Sequence, residues 1–277
     1  MRWSVPTTAL RLLLVFTAAS LLAACTPASL IPPRGAPGNT EAILILPGLG
    51  MTKAGLRDMS TFSHVADSAG FEVYVFDYRS RRSVERGVDR LIQLMDENDL
   101  DRYQRVHVFA YILGGYTLNL ALEEALVPNL GHVVYDRSPL QEMAPKLGST
   151  GAFGLLAWLA VGPILADLAG TEYTPLERAR QRPADGESGR RIGIIMENRA
   201  TRFIRKRKDR ALAMRPLTFD PDALGQAYDD VLHVPLNHDE MYRAFDIIGP
   251  ELLHFFRFGA FSTEASRVPL NIDPFQR

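Results

Sequence analysis

The chain of 277 residues has a single cysteine, Cys25. No intrachain disulfide can form, so the fold must rest on core packing. Charge of either sign is not in excess: 31 Lys and Arg face 32 Asp and Glu, for a formal net charge of -1. That balance gives no reason to propose a nucleic-acid partner. No cluster of His, Cys, Asp or Glu has metal-ligand spacing along the chain, and no glycine-rich phosphate loop is present. The sequence therefore calls for no metal and no cofactor.

What is present begins with an export signal. Arg2 and Arg11 make a positive start, Leu12 to Leu22 form a short apolar run, and Ala23 and Ala24 precede Cys25. This is the order of a signal peptide, and the run is short of the ~20 apolar residues of a spanning helix. Leu22-Ala23-Ala24-Cys25 resembles a bacterial lipobox, which implies a signal over 1–24 and a lipidated Cys25. Thr26 after the cysteine implies, by the same resemblance, the periplasmic side of the outer membrane. Residues 25–40 are rich in Pro and Gly and read as a flexible tether.

Residues 41–262 read as one α/β domain, with a tail over 263–277. Short apolar runs fall at Ala42–Leu46, Phe71–Phe76, Val106–Ala110, His132–Tyr135, Ile192–Met196 and Val231–Pro235. Helix-spaced apolar residues lie between them, over Leu56–Ala69, Val84–Met95 and Gly115–Leu126, and one last helix is expected from Asp239 to Phe258. This alternation predicts a mainly parallel sheet with helices on both faces.

Two stretches interrupt the alternation. Ala152–Ala169 is almost wholly apolar but contains Gly162-Pro163 and Asp167. It reads as a small helical cap over about 145–175, either buried on the sheet or contacting membrane or an acyl chain. Arg199–Arg210 carries seven basic residues. It reads as a solvated face, or as a docking point for anionic lipid or a protein partner.

Three turns carry chemistry. Leu46-Pro47-Gly48-Leu49-Gly50 follows the first apolar run, Ala110-Tyr111-Ile112-Leu113-Gly114 follows the third, and Leu236-Asn237-His238-Asp239-Glu240 precedes the last helix. In this order they resemble the oxyanion turn, nucleophile elbow and histidine loop of the lipase/esterase-like α/β hydrolases. The resemblance implies that Ile112 holds the nucleophile position, that His238 holds the histidine position, and that the backbone N–H groups of Leu49 and Leu113 form the oxyanion hole. It places the acid between the last two strands, at Asp220 or Asp222, with Asp222 preferred and Glu197 as runner-up.

The chain departs from the pattern where chemistry needs it most. Ile112 has no nucleophilic atom, Ala110 replaces the first elbow glycine, and Pro47 replaces the usual histidine. Ser138 follows the next strand and is expected to lie too far from the elbow to substitute. A β-branched residue at a strained tip is costly, so the turn is expected to relax or to be held by packing. The expectation is a hydrolase fold without serine chemistry that binds an acyl or other apolar ligand, or a partner. An ester hydrolase with another nucleophile and a structural envelope lipoprotein are the alternatives.

Overall fold

A computed structural model describes residues 29–31, 38–49, 51–124, 129–149, 162–170, 189–214 and 216–276. The export signal, Cys25 and residues 150–161 of the expected cap lie outside the described residues. Seven strands make one sheet: β1 (Ser29–Ile31), β2 (Glu41–Leu46), β3 (Phe71–Phe76), β4 (Arg105–Ala110), β5 (Leu130–Arg137), β6 (Ile192–Glu197) and β7 (Asp230–Val234). Their order across the sheet is β1-β3-β2-β4-β5-β6-β7. All pairs are parallel except β1 with β3. The α/β class with a mainly parallel sheet is the one the sequence pattern predicts.

The sheet is buried on both faces: its central strands are mainly apolar and are buried at every step, not at every second one. Strand alternation sends Leu44, Leu46, Val108, Ala110 and Tyr135 to one side. There they meet α2 (Val84–Glu97) and α3 (Ile112–Glu124). Ile43, Ile45, Phe109, Val134 and Ile195 go to the other side, against α1 (Lys53–Ser68) and α9 (Phe245–Phe258). Each fully buried Leu, Ile or Phe contributes about 1.5–3 kcal/mol relative to exposure, which is how a fold without disulfides holds.

Helix starts follow local chemistry. Thr52 caps α1 by accepting from the Gly55 N–H at 3.2 Å, and Ser83 caps α2 by accepting from the Arg86 N–H at 3.2 Å. Among the described residues, four short helices lie between β5 and the chain's last helices: α4 (Ala144–Gly148), α5 (Ile164–Gly170), α6 (Arg202–Arg205) and α7 (Lys208–Met214). Among the described residues, no helix is long and apolar enough to cross a membrane.

Two differences from the sequence reading bear on the site. Ser29–Ile31, inside the expected tether, is an edge strand antiparallel to β3, with Ile31 buried. Leu30 and Ile31 supply apolar side chains that a free tether would leave in water. The expected single helix from Asp239 is two, α8 (His238–Met241) and α9. The chain turns between them and carries Tyr242 into the core, where it stacks on Tyr111 with ring centroids 4.4 Å apart.

Candidate active site

Parallel strands deliver their carboxyl ends to one rim, and the change of direction at β2 leaves a crevice there between neighbouring strands. Pro47-Gly48-Leu49 leaves β2, Tyr111-Ile112 leaves β4, Asp136 lies near the end of β5, Glu197 ends β6, and His238 follows β7. The register explains why two of these meet. Asp136 pairs with Ile195, so Glu197, two residues on, shares the face of Asp136. Both are fully buried.

The elbow position is relaxed. Ile112 opens α3 directly after Tyr111, and among the described non-glycine residues only Asp99 has a positive φ. The strand thus passes into the helix without the strained tip that an exposed nucleophile occupies, as a β-branched residue requires. Close packing of the elbow persists: a Cβ on Gly114 would lie 2.3 Å from the Leu46 carbonyl oxygen. Gly114 holds the second small position of the elbow frame, which lets α3 sit against the end of β2.

The oxyanion turn is fixed from behind. The Tyr78 hydroxyl donates to the Pro47 carbonyl at 2.6 Å, and Arg79 Nη1 donates to the Gly48 carbonyl at 3.1 Å. In a trans peptide the Leu49 N–H then points the other way from Arg79. Gly48, Leu49, Ile112 and Leu113 border a cavity of about 370 Å³. Its other walls are Ala144, Pro145 and Gly148 from α4, Leu165 and Leu168 from α5, and Phe203 from α6, with His238 and Asp239 at one side. This volume lies within the ~300–1,000 Å³ of small-molecule sites, and an apolar lining with few polar groups is their usual character.

His238 is placed by a capping box. The Asn237 side chain accepts from the Asp239 and Glu240 N–H groups, and Glu240 accepts from the Asn237 N–H at 2.9 Å. His238 Nδ1 lies 2.7 Å from Glu197 Oε1 and 3.5 Å from Asp136 Oδ2. The carboxyl on the imidazole is therefore Glu197, the runner-up of the sequence reading. Asp222, the preferred candidate, lies in the 3₁₀ turn Pro221–Leu224, is exposed, and accepts from the Tyr228 hydroxyl at 2.9 Å. It sits before β7, whereas the partner of His238 comes from the end of β6. Ser138 is fully buried, accepts from the Gln141 N–H at 3.1 Å and does not border the cavity.

The second carboxyl, Asp136, has no counterpart in the sequence reading. Both its oxygens and Glu197 Oε2 lack a hydrogen bond among the described residues. Arg137, the next residue, is paired with Glu142 at 2.7 Å. Two carboxylates this deep cannot both ionise cheaply. Burial, with the Asp136 charge adding to it, pushes Glu197 up to about 8. Burial works against the His238 cation, but Tyr242 and the two acids outweigh it and hold the imidazole well above its ordinary value. Burial keeps Tyr242 protonated at neutral pH, so the acids supply that support. The site thus biases His238 towards its cation and the Glu197 carboxyl towards its neutral form.

Asp136, Glu197 and His238 also place ligating atoms within 4.8 Å of one another, a grouping that no spacing along the chain reveals. The 2.7 Å between Glu197 Oε1 and His238 Nδ1 is a hydrogen-bond contact. Two ligands about 2.0 Å from one tetrahedral zinc would stand about 3.3 Å apart. The arrangement fits a proton between them better than a metal ion.

The other imidazole nitrogen, which in a serine hydrolase takes the serine proton, is already engaged. The Tyr242 hydroxyl lies 3.2 Å from His238 Nε2. Spacing of four residues puts both side chains on one side of the α8 turn. A Cβ on Gly48 would come 2.3 Å from the same hydroxyl, so the tyrosine is wedged between imidazole and oxyanion turn. Tyr111 supports it by stacking and by donating to the Met241 carbonyl at 3.1 Å.

The strand order, the elbow frame and the histidine loop define an α/β-hydrolase fold. It is similar to a bromoperoxidase from Bacillus anthracis, at 12% identity and a TM-score of 0.52 over 81% of this chain and 94% of that one. It is also similar to esterase B from Lactobacillus rhamnosis, at 14% identity and a TM-score of 0.49 over 81% and 77% of the two chains. An α/β hydrolase from the metagenome of lagoon sediments at Mar Chica, Morocco, shares 15% identity and a TM-score of 0.46 over 81% and 93%. At such identities the likeness is one of fold. No family model and no curated protein matches the chain.

Proposed function

We propose that this protein binds an acyl or similar apolar ligand in the cavity above Ile112 and does not turn it over as a serine hydrolase. The observation that carries the reading is the pair of changes on one side of His238. Ile112 replaces the nucleophile, and the Tyr242 hydroxyl sits 3.2 Å from the nitrogen a nucleophile would need. The cavity walls of α4, α5 and Phe203 favour a hydrocarbon chain. The N–H groups of Leu49 and Leu113 suit a carbonyl or carboxylate oxygen at its end.

Lipidation at Cys25 would tie this cavity to a membrane. Three residues lie between Cys25 and Ser29 of β1, so four residue steps give a reach of at most about 14 Å. The sheet edge would ride close to the bilayer. Residues Arg199–Arg210 remain a candidate surface for anionic lipid or a protein partner.

A displacement assay tests the reading: a fluorescent fatty acid should bind the wild type and be lost on Ala144→Trp, which fills the cavity. Equal binding by that variant would overturn it. A second reading, an ester hydrolase with another nucleophile, draws on the short His238–Glu197 contact. It requires hydrolysis of short acyl esters by the wild type and its loss on His238→Ala.

A further inference from the structure

Beside the acyl cavity lies a second, open depression of about 450 Å³. The two share one ridge. From α6, Phe203 faces the first while Arg202 and Arg205 face the second. From the start of α8, His238 faces the first, Asn237 and Glu240 the second, and Asp239 borders both. Arg243 and Asp246 complete the second depression. It therefore gathers three guanidiniums and three carboxylates.

These opposite charges do not neutralise one another. Among the described residues, no salt bridge involves any of the six. Glu240 is taken by the capping box and Arg205 donates to the Ala200 carbonyl at 3.3 Å. The side chains of Arg202, Arg243, Asp239 and Asp246 are exposed and make no hydrogen bond among the described residues. A purely anionic ligand would meet the carboxylates as well as the arginines. A ligand with both signs, a phosphate and an ammonium a few bonds apart, satisfies both sets.

We propose that the two depressions form one site for a single-chain phospholipid with a phosphoethanolamine headgroup. Its acyl chain occupies the apolar cavity, its phosphate meets Arg202, Arg205 and Arg243, and its ammonium meets Asp239 and Asp246. The inference rests on the acyl-binding reading and adds the headgroup. Exposed ion pairs are individually weak. Selectivity arises because the chain holds the headgroup over the charges, making their encounter intramolecular.

Calorimetry on the full chain tests this with four probes below their micelle-forming concentrations: lauroyl lysophosphatidylethanolamine, lauroyl lysophosphatidylglycerol, laurate and glycerophosphoethanolamine. The ethanolamine lipid should bind about tenfold more tightly than the glycerol lipid and laurate. Glycerophosphoethanolamine, which has the headgroup but no chain, should give no measurable binding. Arg202→Glu with Arg243→Glu should abolish the preference over laurate, and Asp239→Asn with Asp246→Asn should shift it towards the glycerol lipid. Equal affinity for all three chain-bearing probes, or a preference that survives both double variants, overturns the headgroup proposal and leaves acyl binding standing. Tight binding of glycerophosphoethanolamine alone overturns the linked site. Failure of every probe to bind overturns both readings.

Discussion

The two sides of His238 have different character. On the Nδ1 side two buried carboxyls face the ring, Glu197 at 2.7 Å and Asp136 at 3.5 Å. On the Nε2 side stand an aliphatic Ile112 at the helix start and a tyrosine hydroxyl at 3.2 Å. The difference has a physical basis. The acid side is buried core, where removing a charge leaves its partner unpaired at a cost of several kcal/mol. The cavity side ends at an apolar pocket, where the aliphatic Ile112 leaves no buried charge unpaired. The two sides of one imidazole are therefore under different constraints: the acid side is held by buried charge, and the cavity side is not.

The largest effect should come from the frame both sides share. Gly114→Ala would drive a Cβ to 2.3 Å from the Leu46 carbonyl and cost about 3 kcal/mol, read as a lower midpoint in urea unfolding. An unchanged midpoint would mean that α3 does not need this close approach.

The acid side should show itself in pH. The folded-state value of Glu197, about 8, lies above its reference value of 4.5, so the folded protein holds the extra proton. Its contribution to stability is full below about 4.5 and is lost as pH rises towards about 8. Glu197→Gln should flatten that loss, narrowing the stability difference between pH 5 and pH 8 by about 2 kcal/mol. Parallel wild-type and variant curves would contradict a Glu197 carboxyl held neutral by its burial.

The cavity side should respond to two changes together. Ile112→Ser alone leaves Tyr242 on His238 Nε2 and should react poorly with a fluorophosphonate probe. Adding Tyr242→Phe should raise labelling by about tenfold, the weight of one buried hydrogen bond of about 1–1.5 kcal/mol. Equal labelling of both variants would show that Tyr242 is no obstacle. The smallest effect is expected at the displaced acid candidate: Asp222→Asn should leave stability and binding within about 0.5 kcal/mol of wild type.

Much of the site was legible because it follows locally from the chain. An apolar run followed by Pro47-Gly48-Leu49 reads as a strand and turn, and Ala110 to Gly114 reads as a strand-to-helix elbow. Asn237-His238-Asp239-Glu240 carries its own capping box. Each of these signals lies within a few residues. Asp136 and Tyr242 were missed, although each leaves a trace: a charged residue closing an apolar strand, and a tyrosine four residues after the histidine. Neither trace identifies its target. The edge strand Ser29–Ile31 was read as tether because three residues beside a Pro/Gly-rich stretch have no period of their own.

The sheet, its helical layers and the lack of a nucleophilic atom at Ile112 follow from the sequence, since these depend on periodicity and on which atoms a side chain contains. The tertiary structure alone decided which acid serves His238, that a second carboxyl joins it, and that Tyr242 covers its other nitrogen. Those are distances between the ends of strands β5, β6 and β7 and a turn of helix α8. Distances across a sheet are set by register and packing, which residues far apart in the chain fix only together.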